Sequence, residues 1–215
     1  MRAGSEATGF EARKAHWEEM YETKATDEVS WYQANPELSL RLIQTVTGGD
    51  VTRRLLDVGG GASLLTDRLL DLGYRSLGIL DVASSALLRV RGRLGDRAEG
   101  VEWFEADVTS FASPHPWDVW HDRAVFHFLT DSEDRRRYVR SLTGALEPGG
   151  NAIIATFGPD GPPKCSGLDV VRYSPEALAE ELGGRFRLIE SAEELHTTPS
   201  GSLQAFVYGV LRLEG

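Results

Sequence analysis

The chain has 215 residues, 23 Lys+Arg against 33 Asp+Glu, and a formal net charge of −10. That length suits one domain, and 41% hydrophobic with 26% charged residues excludes wholesale disorder. The acidic balance argues against a broad nucleic-acid footprint, which needs clustered Lys and Arg to displace phosphate counterions.

The lone cysteine, Cys165, excludes an internal disulfide framework and a Cys-based metal cluster. No His/Cys/carboxylate spacing fits a metal site. The first twenty residues carry no apolar signal core, and no apolar run approaches the ~20 residues of a membrane span. The expectation is a cytoplasmic protein, monomeric or homodimeric, with neither membrane nor nucleic acid as partner.

In chain order, the first eight residues are small and polar and are expected to fray. Phe10, Trp17, Met20 and Tyr21 predict an amphipathic helix over 9–22. An aromatic-rich loop, Asp27 to Asn35, leads to Pro36, where a second helix begins, stopped by Gly48-Gly49. From Arg53 strands and helices alternate: strands over 54–58, 76–80, 101–104, 117–120 and 152–157, with helices near 64–72, 83–95 and 132–146. A helix over 174–182 precedes strands 186–190 and 203–213, whose connecting segment HTTPSGS is too short for a parallel crossover. The pattern predicts a single-domain α/β protein, a Rossmann-like three-layer sandwich. Residues 1–50 form a helical extension capping the site, and 51–215 form the main domain.

The strongest motif is LLDVGGGAS, Leu55 to Ser63, a strand running into glycines that open a helix. Glycine permits a sharp turn and close approach of a ligand to the backbone. A dinucleotide fingerprint wants a third small residue where Leu64 stands. Asp57 also places negative charge where a pyrophosphate would be repelled and an ammonium attracted. Asp81 ends the second strand, where a carboxylate accepts ribose hydroxyls. Asp107 ends the third, where its carboxylate can accept an adenine amine. Three acids at three successive strand ends point to S-adenosylmethionine rather than NAD.

The order LLDVGGG, ILDVA, FEADV and LEPGG, over roughly residues 53 to 157, resembles the class I S-adenosylmethionine-dependent methyltransferases. The resemblance implies a seven-stranded, mostly parallel sheet with an antiparallel last strand. It places Asp57, Gly59 and Gly61 at the methionine end, Asp81 and Val82 at the ribose, and Asp107 with Val108 at the adenine. HWEEMYETKATDEVSWYQ (His16 to Gln33) and DVWHDRAVFHFL (Asp118 to Leu129) look like the thiopurine S-methyltransferase group and its tellurite-resistance relatives. That group places aromatics over the cofactor, here Tyr21 and Trp31, and carries an Asp-Arg-Gly-like step. The step here reads Asp122-Arg123-Ala124, with Asp122 also set beside the cofactor. The N-terminal style also resembles compact lysine methyltransferases that modify folded proteins.

For the acceptor, Trp31, Tyr32, Arg123, Lys164, Arg172 and Tyr173 are the candidate binding residues. Trp31 and Tyr32 offer an aromatic face toward the sulfonium. Trp17 is read as core, and Cys165 as a small buried hydrophobe. Arg123 has two readings, a surface residue paired with Asp122 or Asp118, or a fork for an anionic group. His127 is either a satisfied core histidine or, with Asp122, the first suspect for a base; His121 and His196 are left open.

The expected activity is methyl transfer to a small molecule, a soft thiol or selenol or an anionic nucleophile, with S-adenosylhomocysteine as product. The alternatives are a protein lysine methyltransferase and a non-catalytic or NAD-using Rossmann-like protein.

Overall fold

The computed structural model describes residues 9–215, so the fraying expected for residues 1–8 lies outside the described residues. Among the described residues there are nine strands, β1 Leu55–Val58, β2 Leu77–Asp81, β3 Val101–Glu105, β4 Trp117–Arg123, β5 Leu146–Phe157, β6 Lys164–Cys165, β7 Leu168–Asp169, β8 Phe186–Thr197 and β9 Leu203–Leu213, and six α-helices. The helices are α1 Gly9–Thr23, α2 Glu37–Thr47, α3 Leu65–Asp71, α4 Ser84–Leu94, α5 Ser132–Ala145 and α6 Pro175–Leu182.

Seven strands form one sheet in the order β3-β2-β1-β4-β5-β9-β8, while β6 and β7 make a separate small hairpin. The pairings from β3 to β5 are parallel, and β9 runs antiparallel to both β5 and β8. This is a Rossmann-like three-layer α/β sandwich with an antiparallel edge. The strand order reverses on either side of β1, so the crevice at the carboxyl ends of β1 and β4 is where a ligand is expected.

Side-chain alternation explains the three layers. Leu55 faces the layer of α2, α3 and α4, where Leu42, Ile43, Leu69 and Val90 are fully buried. Leu56 and Val58 face the layer of α5 and α6, with Trp117, Trp120, Tyr138, Leu142 and Leu178. Residues 9–50 therefore divide: α2 belongs to a helix layer, whereas α1 lies against α4 at the strand ends. Among the described residues, no helix is long and apolar enough to cross a membrane.

Strand β8 runs to Thr197, seven residues beyond the strand predicted to stop at Glu190. Its register shifts between Leu188 and Glu190, and its exposed face carries charges such as Glu193, a disguise common on edge strands.

Candidate functional site

The turn after β1 is built by its glycines. Gly59 takes φ +62° and Gly61 φ +42°, conformations that side chains rarely adopt. A Cβ on Gly59 would overlap the Val125 side chain, and one on Gly61 would overlap the Tyr21 hydroxyl. Gly60, which the sequence did not single out, leaves room for the Asp57 carboxylate; a Cβ there would stand 2.8 Å from Oδ2.

Asp57 is 3% exposed, and its Oδ2 has no partner among the described residues. Such a buried, unsatisfied carboxylate oxygen is costly unless a ligand completes it.

Asp81 is buried, and its Oδ1 accepts the Ala83 N–H at 2.9 Å. Burial pushes its pKa up to about 7; backbone N–H groups of Ala83 and Gly61 pull it down, and the Asp57 charge adds to the rise. Asp107 accepts the Thr109 N–H through Oδ1 at 2.8 Å. Its Oδ2 receives Arg13 of α1, from Nε at 3.0 Å and Nη2 at 2.6 Å, and Arg13 also reaches Asp134 at 2.7 Å. No sequence pattern announced Arg13, whose partners lie about a hundred residues away.

At the end of β4 the structure corrects several expectations. Asp122 is fully buried, accepts the N–H groups of Val125 and Phe126 at 2.9 and 3.2 Å and the Tyr138 hydroxyl at 2.6 Å. Burial pushes its pKa up to about 6, opposed by those donors. Both oxygens hold the chain turn, so Asp122 neither touches the clefts nor acts as a base. His127 is also fully buried, and Nδ1 accepts the Phe157 N–H at 3.2 Å. Burial, then the Arg123 charge, pushes its pKa down to about 3. Its basic nitrogen is spent on the backbone, which removes it too as a base.

Arg123 is not an open fork. Nε donates to the Tyr208 hydroxyl at 3.0 Å, Nη1 to the Trp31 carbonyl at 3.0 Å and Nη2 to Glu194 at 3.1 Å. The guanidinium carbon sits 4.3 Å from the centroid of the Phe206 ring. The side chain fixes the Trp31 loop against β8 and β9 rather than waiting for an anion.

Three further acceptor candidates fall away from the crevice. Lys164 is exposed and paired with Asp169 at 2.9 Å across the β6–β7 hairpin. Arg172 donates to the carbonyls of Pro159 and Gly161. Tyr173 is 4% exposed and packs on Phe126 in the core, where burial pushes its hydroxyl up to about 12. His196 Nε2 donates to the Ser30 carbonyl at 2.8 Å.

Ala124 takes φ +69°, a position natural to glycine. Ala124→Gly is expected to stabilise the protein by about 0.5–1 kcal/mol and raise Tm by roughly 1–3 °C in thermal unfolding. A lower Tm would show that Ala124 bears no strain.

Two adjoining clefts result, sharing Trp31, Val58, Gly59 and Arg123. The first, about 780 Å³ and mainly apolar, runs from Asp107, Val108, Asp81 and Val82 to a wall of Trp17, Trp31 and Phe128. The second, about 530 Å³, holds Asp57, Gly60, Ser39, His121 and Tyr32. Trp17 stands edge-on to Trp31 and Phe128 at 5.7 and 5.0 Å between centroids, so it is cleft wall as well as packing. Tyr21 is buried over the glycine turn, and burial, then the Asp81 charge, keeps its hydroxyl well above its ordinary range. Cys165 lines the first cleft with its thiol also pushed up by burial. Among the described residues, no group of three metal-ligating side chains comes together.

The site is a Rossmann-like sandwich with buried acids at three successive strand ends and two adjoining clefts, one lined by Asp81 and Asp107 and the other by Asp57. Residues 56–152, from β1 into β5, match the family model of a methyltransferase domain. Over that span the chain is similar to methyltransferase domains, and its fold is the one shared by the solved methyltransferases that follow.

The 1,6-didemethyltoxoflavin-N1-methyltransferase of Burkholderia thailandensis, solved with S-adenosylhomocysteine, superposes with a TM-score of 0.73 at 18% identity, covering 100% of this chain and 94% of that one. The N-methyltransferase NodS of Bradyrhizobium japonicum, also solved with S-adenosylhomocysteine, gives 0.70 at 17% identity, covering 92% and 98%. Among curated proteins, the eEF1A lysine and N-terminal methyltransferase of Mus musculus is 24% identical over 121 residues, covering 55% of this chain. The chain spans 17% of that relative's length.

Proposed function

We propose that this chain transfers a methyl group from S-adenosylmethionine to an apolar small molecule. The observation that carries the reading is the unpartnered Oδ2 of Asp57, buried in one cleft while Asp81 and Asp107 line its continuation. An α-ammonium would satisfy Asp57, ribose hydroxyls would donate to Asp81, and Val82, Val108 and Leu129 would enclose an adenine whose amine shares Asp107 Oδ2 with Arg13. A pyrophosphate would meet Asp57 as a repelling charge. Within residues 9–35, α1 and the Trp31 loop act as the cap over the clefts, while α2 belongs to the sandwich.

When bound, the cofactor supplies a methyl group on a sulfonium, already primed for in-line displacement. Trp17, Trp31 and Phe128 then position the acceptor and exclude water. With Asp122 and His127 committed to the backbone, the nucleophile favoured is one that needs no strong base, a thiol or selenol type or an unprotonated amine. The engagement of Arg123, and the outward places of Lys164 and Arg172, withdraw the earlier support for an anionic acceptor. The partial likeness to the thiopurine S-methyltransferase group supports a small acceptor, as do the small-molecule neighbours in fold. The curated relatives keep a protein lysine acceptor as the second reading.

Calorimetry is expected to show binding of S-adenosylhomocysteine and none of NAD. With methyl-labelled cofactor and a panel of thiols, selenide, amines and cell lysate, label should enter the small-molecule fraction. Label confined to macromolecules would favour the lysine reading, and heat with NAD alone would remove both.

A further inference from the structure

A chain of buried polar groups backs Asp57 on the side away from its free oxygen. His121 of β4 is the register partner of Asp57 across the β1–β4 ladder and is 3% exposed. Its Nδ1 lies 2.8 Å from Asp57 Oδ1, and its Nε2 lies 2.9 Å from Ser39 Oγ on α2. A carboxylate oxygen only accepts, so Nδ1 carries a proton and donates it. In the neutral ring Nε2 then accepts the Ser39 hydroxyl. Ser39 is itself 1% exposed, on the buried face of α2.

Both ring nitrogens of His121 are thus held, and the ring cannot turn without breaking two buried hydrogen bonds. The carboxylate of Asp57 is anchored at Oδ1 and left open at Oδ2. The connectivity Ser–His–Asp also occurs in serine hydrolases. Here the Ser39 hydroxyl is held by His121, and the oxygen left without a partner belongs to the acid. The device holds a charge; it does not arm a nucleophile.

We propose that Ser39 and His121 are positioning residues that lock Asp57 so that Oδ2 alone is presented to the α-ammonium of the methionyl end of the cofactor. The role rests on the cofactor reading above. It acts on one half of the ligand only, because the nucleoside half lies against Asp81 and Asp107 in the other cleft.

The test compares S-adenosylhomocysteine with 5′-methylthioadenosine, which keeps the nucleoside but lacks the amino-acid end. His121→Phe removes both hydrogen bonds and is expected to weaken S-adenosylhomocysteine about 10-fold or more, with 5′-methylthioadenosine unchanged. His121→Asn, which keeps a donor near the Nδ1 position, is expected to recover binding to within about 3-fold of wild type. Ser39→Ala, removing one hydroxyl, serves where His121→Phe does not fold, and is expected to lose about 3-fold for S-adenosylhomocysteine only. Equal losses for the two nucleosides, or no loss for either, overturn the positioning role. A wild-type protein that binds neither nucleoside overturns the cofactor reading itself, and the role with it.

Discussion

Gly59→Ala is expected to lower the unfolding free energy by about 2–4 kcal/mol and to weaken S-adenosylhomocysteine binding more than tenfold. Two costs combine. An alanine at φ +62° carries the left-handed penalty, ~1–2 kcal/mol. The added methyl also overlaps Val125, a β-branched side chain with little rotamer freedom, directly behind the step from β4 into the cleft wall. Relief requires Val125 or the glycine turn to move, and both line the first cleft. Gly48→Ala separates the two costs. Gly48 has the same φ of +62° at the end of α2, yet a Cβ there meets nothing within 4 Å. That variant is expected to lose only the conformational part and to bind normally. Urea unfolding and calorimetry on both proteins decide the matter, and equal losses with unaltered binding would refute the overlap argument.

The parallel half of the sheet was legible because each strand is a short apolar run closed by an acid or a glycine, with a helical period following. Asp57, Asp81 and Asp107 could be placed at one crevice edge from the alternation alone, since parallel strands put successive carboxyl ends side by side. What escaped the sequence was decided by tertiary neighbours. From sequence Arg123 is either paired with Asp118 or Asp122 or an open fork; those acids serve elsewhere, and its partners come from Trp31, Glu194 and Tyr208. Lys164 and Arg172 read from sequence as acceptor-binding cations, but the β6–β7 hairpin sets Lys164 against Asp169 and Arg172 donates to backbone carbonyls. His121 and Ser39 are 82 positions apart and share no periodic signal, so only folding reveals them as one unit. The helix α2 was found from its apolar stripe, whereas the polar Ser39 on the same buried face carried no mark of its own.

Binding of S-adenosylhomocysteine is expected to tighten by up to about tenfold between pH 6 and pH 8, and Asp81→Asn is expected to weaken it by about 10–100-fold while flattening that dependence. The carboxyl of Asp81 has its pKa pushed up to about 7, chiefly by burial. In the ligand-free protein, roughly a tenth is ionised at pH 6 and nine-tenths at pH 8. Ribose hydroxyls donate most strongly to the ionised form, so affinity follows the ionised fraction and levels off above pH 8. The stability of the ligand-free protein runs the other way. The unfolded pKa is near 3.8 and the folded one about 7, so the fold favours the protonated acid. Ligand-free stability should therefore fall as pH rises from about 4 to 7 and become constant above, with Asp122, pushed up to about 6, contributing in the same direction. Asp81→Asn removes the ionisation cost and should make the ligand-free protein less sensitive to pH in that window, even as it binds less well. A wild-type affinity that is flat from pH 6 to 8, or an asparagine variant that binds as tightly, would place the ribose elsewhere than on Asp81.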